Sequence, residues 1–191
     1  RTILYLLIHF IGQYLDASIG LGYGTITAPL LLLLGVPPIY TVPAILLSKT
    51  VLGVLSGGIH QIAGNVQSKI VLSLTLTGVF GTLLGALISF FLPDRDVSVF
   101  IGIVLMVTGG LSLLNVVRGV IIGRYSQNKI RVYGFFAGFA NGISGGGYGA
   151  ISVTGLVSAG VDARVAVGST VLSETVVALG GSCYTLLFYE K

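Results

Sequence analysis

Long apolar stretches separated by short polar segments run along most of this chain. Residues 70–92 and 97–117 contain no Asp, Glu, Lys or Arg. Each matches the roughly 20 residues that an α-helix needs to cross a bilayer. Residues 2–18 form a further apolar stretch with no A-x-A-like cleavage site after it, so we expect a retained membrane helix and not a signal peptide.

This pattern, with glycines and prolines taken as breaks, predicts eight helices. Two of them are short, because ten helical residues span only about 15 Å, and each follows a glycine-rich loop, at 19–24 or 145–149. The predicted helices are 2–18, 25–34, 39–62, 70–92, 97–121, 131–144, 150–159 and 165–188.

The chain repeats itself with an offset of 125 residues and no gap. GLGYGTI at 20–26 aligns with GGGYGAI at 145–151, and 13 of the 32 positions in 20–51 are identical to their counterparts. We predict two tandem transmembrane repeats, 1–125 and 126–191, the second incomplete. Two full copies would need about 250 residues, so we expect counterparts of helices 70–92 and 97–121 to lie outside this sequence.

Composition fixes the class of protein. The chain is 54% hydrophobic and 8% charged, whereas soluble domains carry about 25% charged residues. We predict an all-α polytopic protein of the cell membrane, either a plasma membrane or an inner membrane. The net charge of +4 reflects the segment 118–131, which has four basic residues and no acid. It does not indicate a nucleic-acid partner.

The positive charges predict the orientation of the helices. The basic segment 118–131 and Lys69 are expected in the cytoplasm, which places 35–38 and 93–96 outside. If helices 2–18 and 25–34 run into the membrane and back, each copy makes an odd number of crossings and the copies are inverted. If they form one broken span, the copies are parallel. We predict inverted repeats.

Three ionisable residues lie inside the apolar segments, Asp16, Lys49 and Glu174. A charge at the bilayer centre costs a few kcal/mol, so each needs a structural or functional reason. Lys49 and Glu174 occupy equivalent positions in the two copies and are expected to pair across a pseudo-two-fold axis. Either they form a structural ion pair, or they serve a substrate or proton path.

Proton coupling is predicted at Glu174, with Asp16 as the second candidate. Burial favours the neutral form of Glu174, and a nearby ammonium favours the charged form. An anion that competes for Lys49 would therefore favour proton uptake by Glu174. Asp16 matches Asn141, and each stands four residues before its glycine loop. Their side chains either brace the loop or form the polar wall of a site.

The stretch NGISGGGYGA at 141–150 has five glycines in ten positions. Unwound backbone at membrane depth is tolerated only when it is buried or lines a cavity. Two such loops would aim two helix N-termini, which favour anions, at one site. Tight helix packing through small residues is the alternative. The predicted substrate-binding residues are Gly20, Gly22, Gly24, Thr25, Ser48, Lys49, Ser144, Gly145, Gly146, Gly147, Gly149 and Ser173.

The sequence gives little support to an enzymatic function. GISGG at 142–146 fits G-x-S-x-G, but that elbow needs a strand-to-helix turn, which the pattern does not predict. No His follows residue 60 to complete a Ser–His dyad. No Cys, His or Asp group has metal-ligand spacing, so neither a metal nor a cofactor is expected. The single cysteine, Cys183, excludes an intrachain disulfide.

The duplicated unit resembles the TauE/SafE sulfite exporter family of membrane permeases. The resemblance rests on a glycine loop after the first helix, a short helix, a G-V turn and a Ser/Thr-containing next helix, all repeated. The proline that usually follows the first glycine loop is present as Pro29, whereas the second copy has Thr154. The resemblance implies transport of sulfite, organosulfonates or related sulfur compounds.

The predicted function is therefore secondary transport of a small anion in contact with bilayer lipid. We expect such a transporter to run as a monomer or a homodimer. The alternative is a non-transporting membrane subunit that scaffolds a larger complex and co-purifies with a fixed partner.

Overall fold

The computed structural model describes residues 2–20, 22–118 and 126–188. These residues form eight helices and no strand. The last residues of predicted helix 97–121 and Arg124 of the basic segment lie outside the described residues. The helices are α1 (Thr2–Ile19), α2 (Tyr23–Leu33), α3 (Pro38–Ile62), α4 (Ser68–Phe91), α5 (Asp94–Arg118), α6 (Gln127–Ser144), α7 (Tyr148–Ser158) and α8 (Ala163–Phe188).

Three of the described helices are long and apolar enough to cross a membrane: Pro38–Ile62, Ser68–Phe91 and Ala163–Tyr184. Large apolar side chains point away from the protein along them, for example Leu72 at 61% exposure and Phe80 at 65%. Such surface is stable only when lipid is the solvent. The predicted class, an all-α polytopic membrane protein, is confirmed.

Several helices begin earlier than predicted. α6 begins at Gln127 and not at 131, so Lys129 and Arg131 lie on its first turns and not in a loop. α5 begins at Asp94 and not at 97, because Asp94 and Asp96 suit the positive end of a helix. The PDRD segment is therefore mostly helical. α2 and α7 each start two residues early, which shortens the glycine loops to 20–22 and 145–147.

The first and last three helices have the same layout. α6, α7 and α8 each begin 125 residues after the start of α1, α2 and α3, respectively. α6 and α7 also end 125 residues after the ends of α1 and α2. Within each set the chain reverses at the glycine loop. Gly12 of α1 packs beside Thr27 of α2, and Gly155 of α7 packs on Tyr133 of α6. Each glycine loop is therefore the tip of a helical hairpin.

The equivalent helices α3 and α8 pack against each other and run antiparallel. Contacts that advance along α3 move back along α8: Gly53 lies on Thr175, Gly57 on Leu172, and Asn65, just after α3, on Gly168. Antiparallel packing of equivalent helices is what inverted repeats require. The inverted topology in the membrane stays a prediction, and this packing supports it.

α4 fills the space between α6 and α8. It runs parallel to α6, and its backbone touches that of α6 where glycines meet, at Gly78 with Gly138. Thr82 Oγ1 donates to the Gly138 carbonyl at 2.9 Å. In a bilayer, helices associate through such close approach of small residues and through interhelical hydrogen bonds.

This contact predicts the effect of one methyl group. A Cβ on Gly138 would overlap the backbone carbonyl of Gly78, whereas a Cβ on Gly58 of α3 meets nothing within 4 Å. We expect Gly138→Ala to destabilise the folded protein by about 1–3 kcal/mol. Gly58→Ala should be neutral or stabilising. SDS-induced unfolding of the purified variants measures both, and equal stability of the two variants would contradict the packing described.

Candidate functional site

An ion pair lies at the centre of the α3–α8 contact. Lys49 Nζ lies 2.5 Å from Glu174 Oε1, and both residues are only 3% exposed. The two positions are separated by 125 residues, the repeat offset. A residue can touch its own counterpart only where the axis relating two copies passes between them. The predicted pairing of Lys49 with Glu174 is therefore present in the structure.

Two further polar side chains complete this cluster, which we call the axial cluster (Asp16, Lys49, Asn141 and Glu174). Lys49 Nζ donates a second hydrogen bond to Asn141 Oδ1 at 2.9 Å. Asp16, the counterpart of Asn141, is buried and interacts electrostatically with both Lys49 and Glu174. The cluster thus joins the ends of α1 and α6 to the middle of α3 and α8.

The axial cluster has unused hydrogen-bonding capacity. Among the described residues, Glu174 Oε2 and Asn141 Nδ2 are buried without a hydrogen-bond partner. Two carboxyl groups also face one ammonium, so full ionisation would leave a net negative charge in a dry interior, which is costly. A free amide donor, an ammonium and an under-used carboxylate together are suited to hold an anion and to exchange a proton.

The two glycine loops differ in how their following helices are capped. Asp16 Oδ1 accepts the Gly22 N–H at 2.8 Å, so the N-terminus of α2 already faces a carboxylate. The corresponding place at α7 holds Asn141, a neutral amide whose oxygen accepts from Lys49. The Gly147 N–H donates to Thr25 Oγ1 at 3.1 Å.

The predicted loop residues come together in the structure. A Cβ on Gly149 would lie 2.6 Å from the Gly22 nitrogen, and one on Gly24 would overlap the Gly145 carbonyl. A cavity beside Gly146, where the second loop meets α2 and α5, holds only about 10 Å³, the lower limit for one water molecule. Gly22 and Gly147 adopt positive φ, 85° and 88°, which glycine tolerates best. Gly20 packs under Val153 and Val167.

The predicted hydroxyls bind protein groups. Ser173 Oγ lies 2.6 Å from the Tyr148 hydroxyl, and the counterparts of this pair are Ser48 and Tyr23. Ser144 Oγ donates to backbone carbonyls at 140 and 146, which braces its loop. Ser144 and Ser173 thus support the second loop, whereas Ser48 lines an open groove between α1 and α3. Short polar side chains often bond locally in this way.

Tyr23 and Tyr148 were missed as site residues. Both are fully buried directly after the glycine loops, and the Tyr23 hydroxyl also contacts His9. The signal was present, because the tyrosine between two glycines is identical in both copies. Among the residues that the structure describes, no group of three His, Cys, Asp or Glu side chains could hold a metal ion.

Comparisons with known proteins cover almost the whole chain. The family model described as "Sulfite exporter TauE/SafE" matches residues 5–189. "Probable membrane transporter protein YtnM" of Bacillus subtilis (strain 168) is 28% identical over 197 residues, which cover 98% of this chain. The chain spans 65% of that relative's length. No solved structure matches the chain significantly.

The axial ion pair predicts a charge-reversal effect. Lys49→Glu alone would place three acids together and is expected to destabilise the protein by roughly 3–5 kcal/mol. Adding Glu174→Lys should recover most of this loss, because the new lysine would lie beside Asp16 and the new glutamate beside the free Asn141 amide. SDS-induced unfolding measures the difference. A double variant no more stable than the single one would show that Lys49 and Glu174 do not interact directly.

Proposed function

This chain belongs to the sulfite exporter TauE/SafE family, and from that membership we propose that it acts in secondary transport of a small anion across the membrane. The membership confirms the resemblance based on the duplicated glycine loops. The family and the YtnM relative are both described as transporting and not as catalytic proteins. We further propose that the anion is sulfite, a sulfonate or a related sulfur compound.

The observation that carries this proposal is the buried ammonium of Lys49. It stands midway along α3, is 3% exposed, and contacts Glu174 and Asn141. An ionisable residue inside a membrane helix bundle marks a substrate or ion pathway by default. Lys49 is also the one lysine or arginine among the buried residues that the structure describes. An anion would find there both charge compensation and the unpaired Asn141 N–H.

The anion site that we propose is centred on one side of the pseudo-two-fold axis. At α2 the carboxylate of Asp16 already occupies the helix N-terminus and would repel a second anion. At α7 the equivalent place holds Asn141, and Lys49 is adjacent. The proposed site therefore uses Lys49, Asn141 and the α7 N-terminus at 147–149, with Gly145 and Gly146 allowing close approach.

Binding at this site requires the two hairpins to separate. The loops touch, and the cavity of about 10 Å³ beside Gly146 is too small for an oxyanion. We propose that the α1–α2 and α6–α7 hairpins part to admit the anion and close around it. Movement of one repeat against the other around a central site is the usual design of transporters built from inverted repeats.

The protein is integral to a membrane, and we propose the cell membrane as its location. The positive-inside argument gains support from the structure, since Gln127 Nε2 donates to the Lys69 carbonyl at 3.4 Å. This contact brings the first turn of α6, with its basic residues, to the same end of the bundle as Lys69. We propose a monomer or a homodimer as the transporting unit.

The role of Lys49 is tested by removing its charge without leaving the Glu174 carboxylate unpaired. We expect the double variant Lys49→Gln, Glu174→Gln to lower the exchange of labelled sulfite across proteoliposome membranes, measured without a pH gradient, by roughly 10- to 100-fold, because hydrogen bonds to a charged group contribute about 1.5–3 kcal/mol. Glu174→Gln alone keeps the ammonium and is the matched control. Thiosulfate and sulfonates are measured in parallel. Full flux in the double variant would place the anion elsewhere.

Proton coupling is tested at Glu174, whose Oε2 is buried without a partner. When an anion engages Lys49, Glu174 loses part of its compensation and is expected to bind a proton. Glu174→Gln should therefore abolish accumulation driven by a pH gradient but retain exchange of labelled anion without a gradient. If accumulation keeps its full pH dependence, Glu174 has a structural role, and Asp16→Asn is the next variant to measure.

A further inference from the structure

An open groove of about 380 Å³ lies between α1 and α3. Its α1 wall is formed by His9, Phe10, Gln13, Tyr14 and Ala17. Tyr23 and Ser48, next to the axial cluster, form its floor. The groove faces outward, and no described helix covers it.

The same surface exists in the second repeat, where α4 occupies it. Five residues of α6 lie in close backbone contact with α4: Gly134, Phe135, Gly138, Phe139 and Gly142. Subtracting the offset of 125 gives the five α1 residues of the groove wall. On α8, Ser173 accepts a hydrogen bond from Thr75 of α4 at 3.1 Å, and its counterpart is Ser48. The groove thus repeats an established helix–helix interface.

The groove carries side chains that are left uncovered in this structure. Phe10 is 72% exposed and Tyr14 is 66% exposed. Their counterparts, Phe135 and Phe139, are only half exposed or less, and Gly81 and Gly85 of α4 lie against their backbone. Gln13 Oε1 is buried without a hydrogen-bond partner among the described residues. A mixed surface of aromatic and hydrogen-bonding side chains at membrane depth is typical of a contact with another helix.

We propose that this groove binds a membrane-spanning helix from outside residues 1–191 and that this helix has the same pattern of contact residues as α4. The α4 contacts define its sequence pattern. Thr75 bonds Ser173, Gly78 lies against the Tyr148 side chain, and Gly81 and Gly85 lie against the backbone carbonyls of Phe135 and Phe139. The occupant carries Ser or Thr opposite Ser48, followed by small residues three, six and ten positions later.

The groove on α1 differs from the α4-binding surface of α6 in one respect. Gly134 and Gly138, which the backbone of α4 touches, are replaced by His9 and Gln13. The occupant therefore lies farther from α1 than α4 lies from α6. The proposal rests on the repeat and on helix packing alone, so a test of the transport function neither supports nor contradicts it.

Photo-crosslinking tests the occupant directly. The photoreactive amino acid benzoylphenylalanine replaces Phe10 or Tyr14 in the protein at its native length, in native membranes. Leu7 is the matched control, because it is 51% exposed on the same helix. Its counterpart on α6, Val132, is 52% exposed although α4 packs on α6, so a helix in the groove is not expected to cover Leu7. After irradiation, mass spectrometry identifies the attached peptide or lipid, and yield and SDS-induced unfolding show that each variant is folded.

We expect positions 10 and 14 to crosslink to an apolar peptide from outside residues 1–191 with Ser or Thr followed by small residues at the stated spacing. Position 7 should give lipid adducts only. The proposal is overturned if positions 10 and 14 give lipid adducts only, or adducts with residues 1–191 of a second copy. It is equally overturned if the captured helix lacks the spacing.

Discussion

Burial of one ammonium group at the centre of the molecule constrains everything around it. Lys49 cannot remain charged inside a helix bundle unless acceptors surround it, and the nearest acceptors come from two other helices. Satisfying them requires α3 and α8 to cross at their middles and α6 to end beside them. The hairpin tips are then held against the same centre, since Asp16 and Asn141 stand at the ends of the helices that enter the glycine loops.

A second constraint comes from the backbone. Buried loops have no water to satisfy their N–H and C=O groups, so protein groups must do so. Here Thr25 of the first hairpin accepts the Gly147 N–H of the second, and Asp16 accepts the Gly22 N–H within the first hairpin. Glycines allow this contact because any Cβ at 24 or 149 would overlap the opposite loop. The closed contact between the two hairpins thus depends on these glycines.

Sequence patterns predicted the helices and the Lys49–Glu174 pair, because apolar length and the 125-residue repeat are long-range signals that survive in one sequence. They placed the starts of α2, α5, α6 and α7 too late, since helix starts depend on capping and packing that the pattern does not contain. They also predicted one anion site formed by both glycine loops. In the structure the two loops are unequal, since Asp16 accepts the Gly22 N–H whereas Asn141 accepts from Lys49, and such a difference depends on three-dimensional contacts.

The position of the ion pair on the pseudo-two-fold axis bears on how the two copies came to differ. Two identical copies would place lysine against lysine or glutamate against glutamate at this point, and either pair would repel. The attraction seen here arises only after the copies have diverged at this position. From then on, neither half can substitute for the other. A pair of opposite charges on such an axis therefore commits a duplicated gene to encoding both halves as distinct partners.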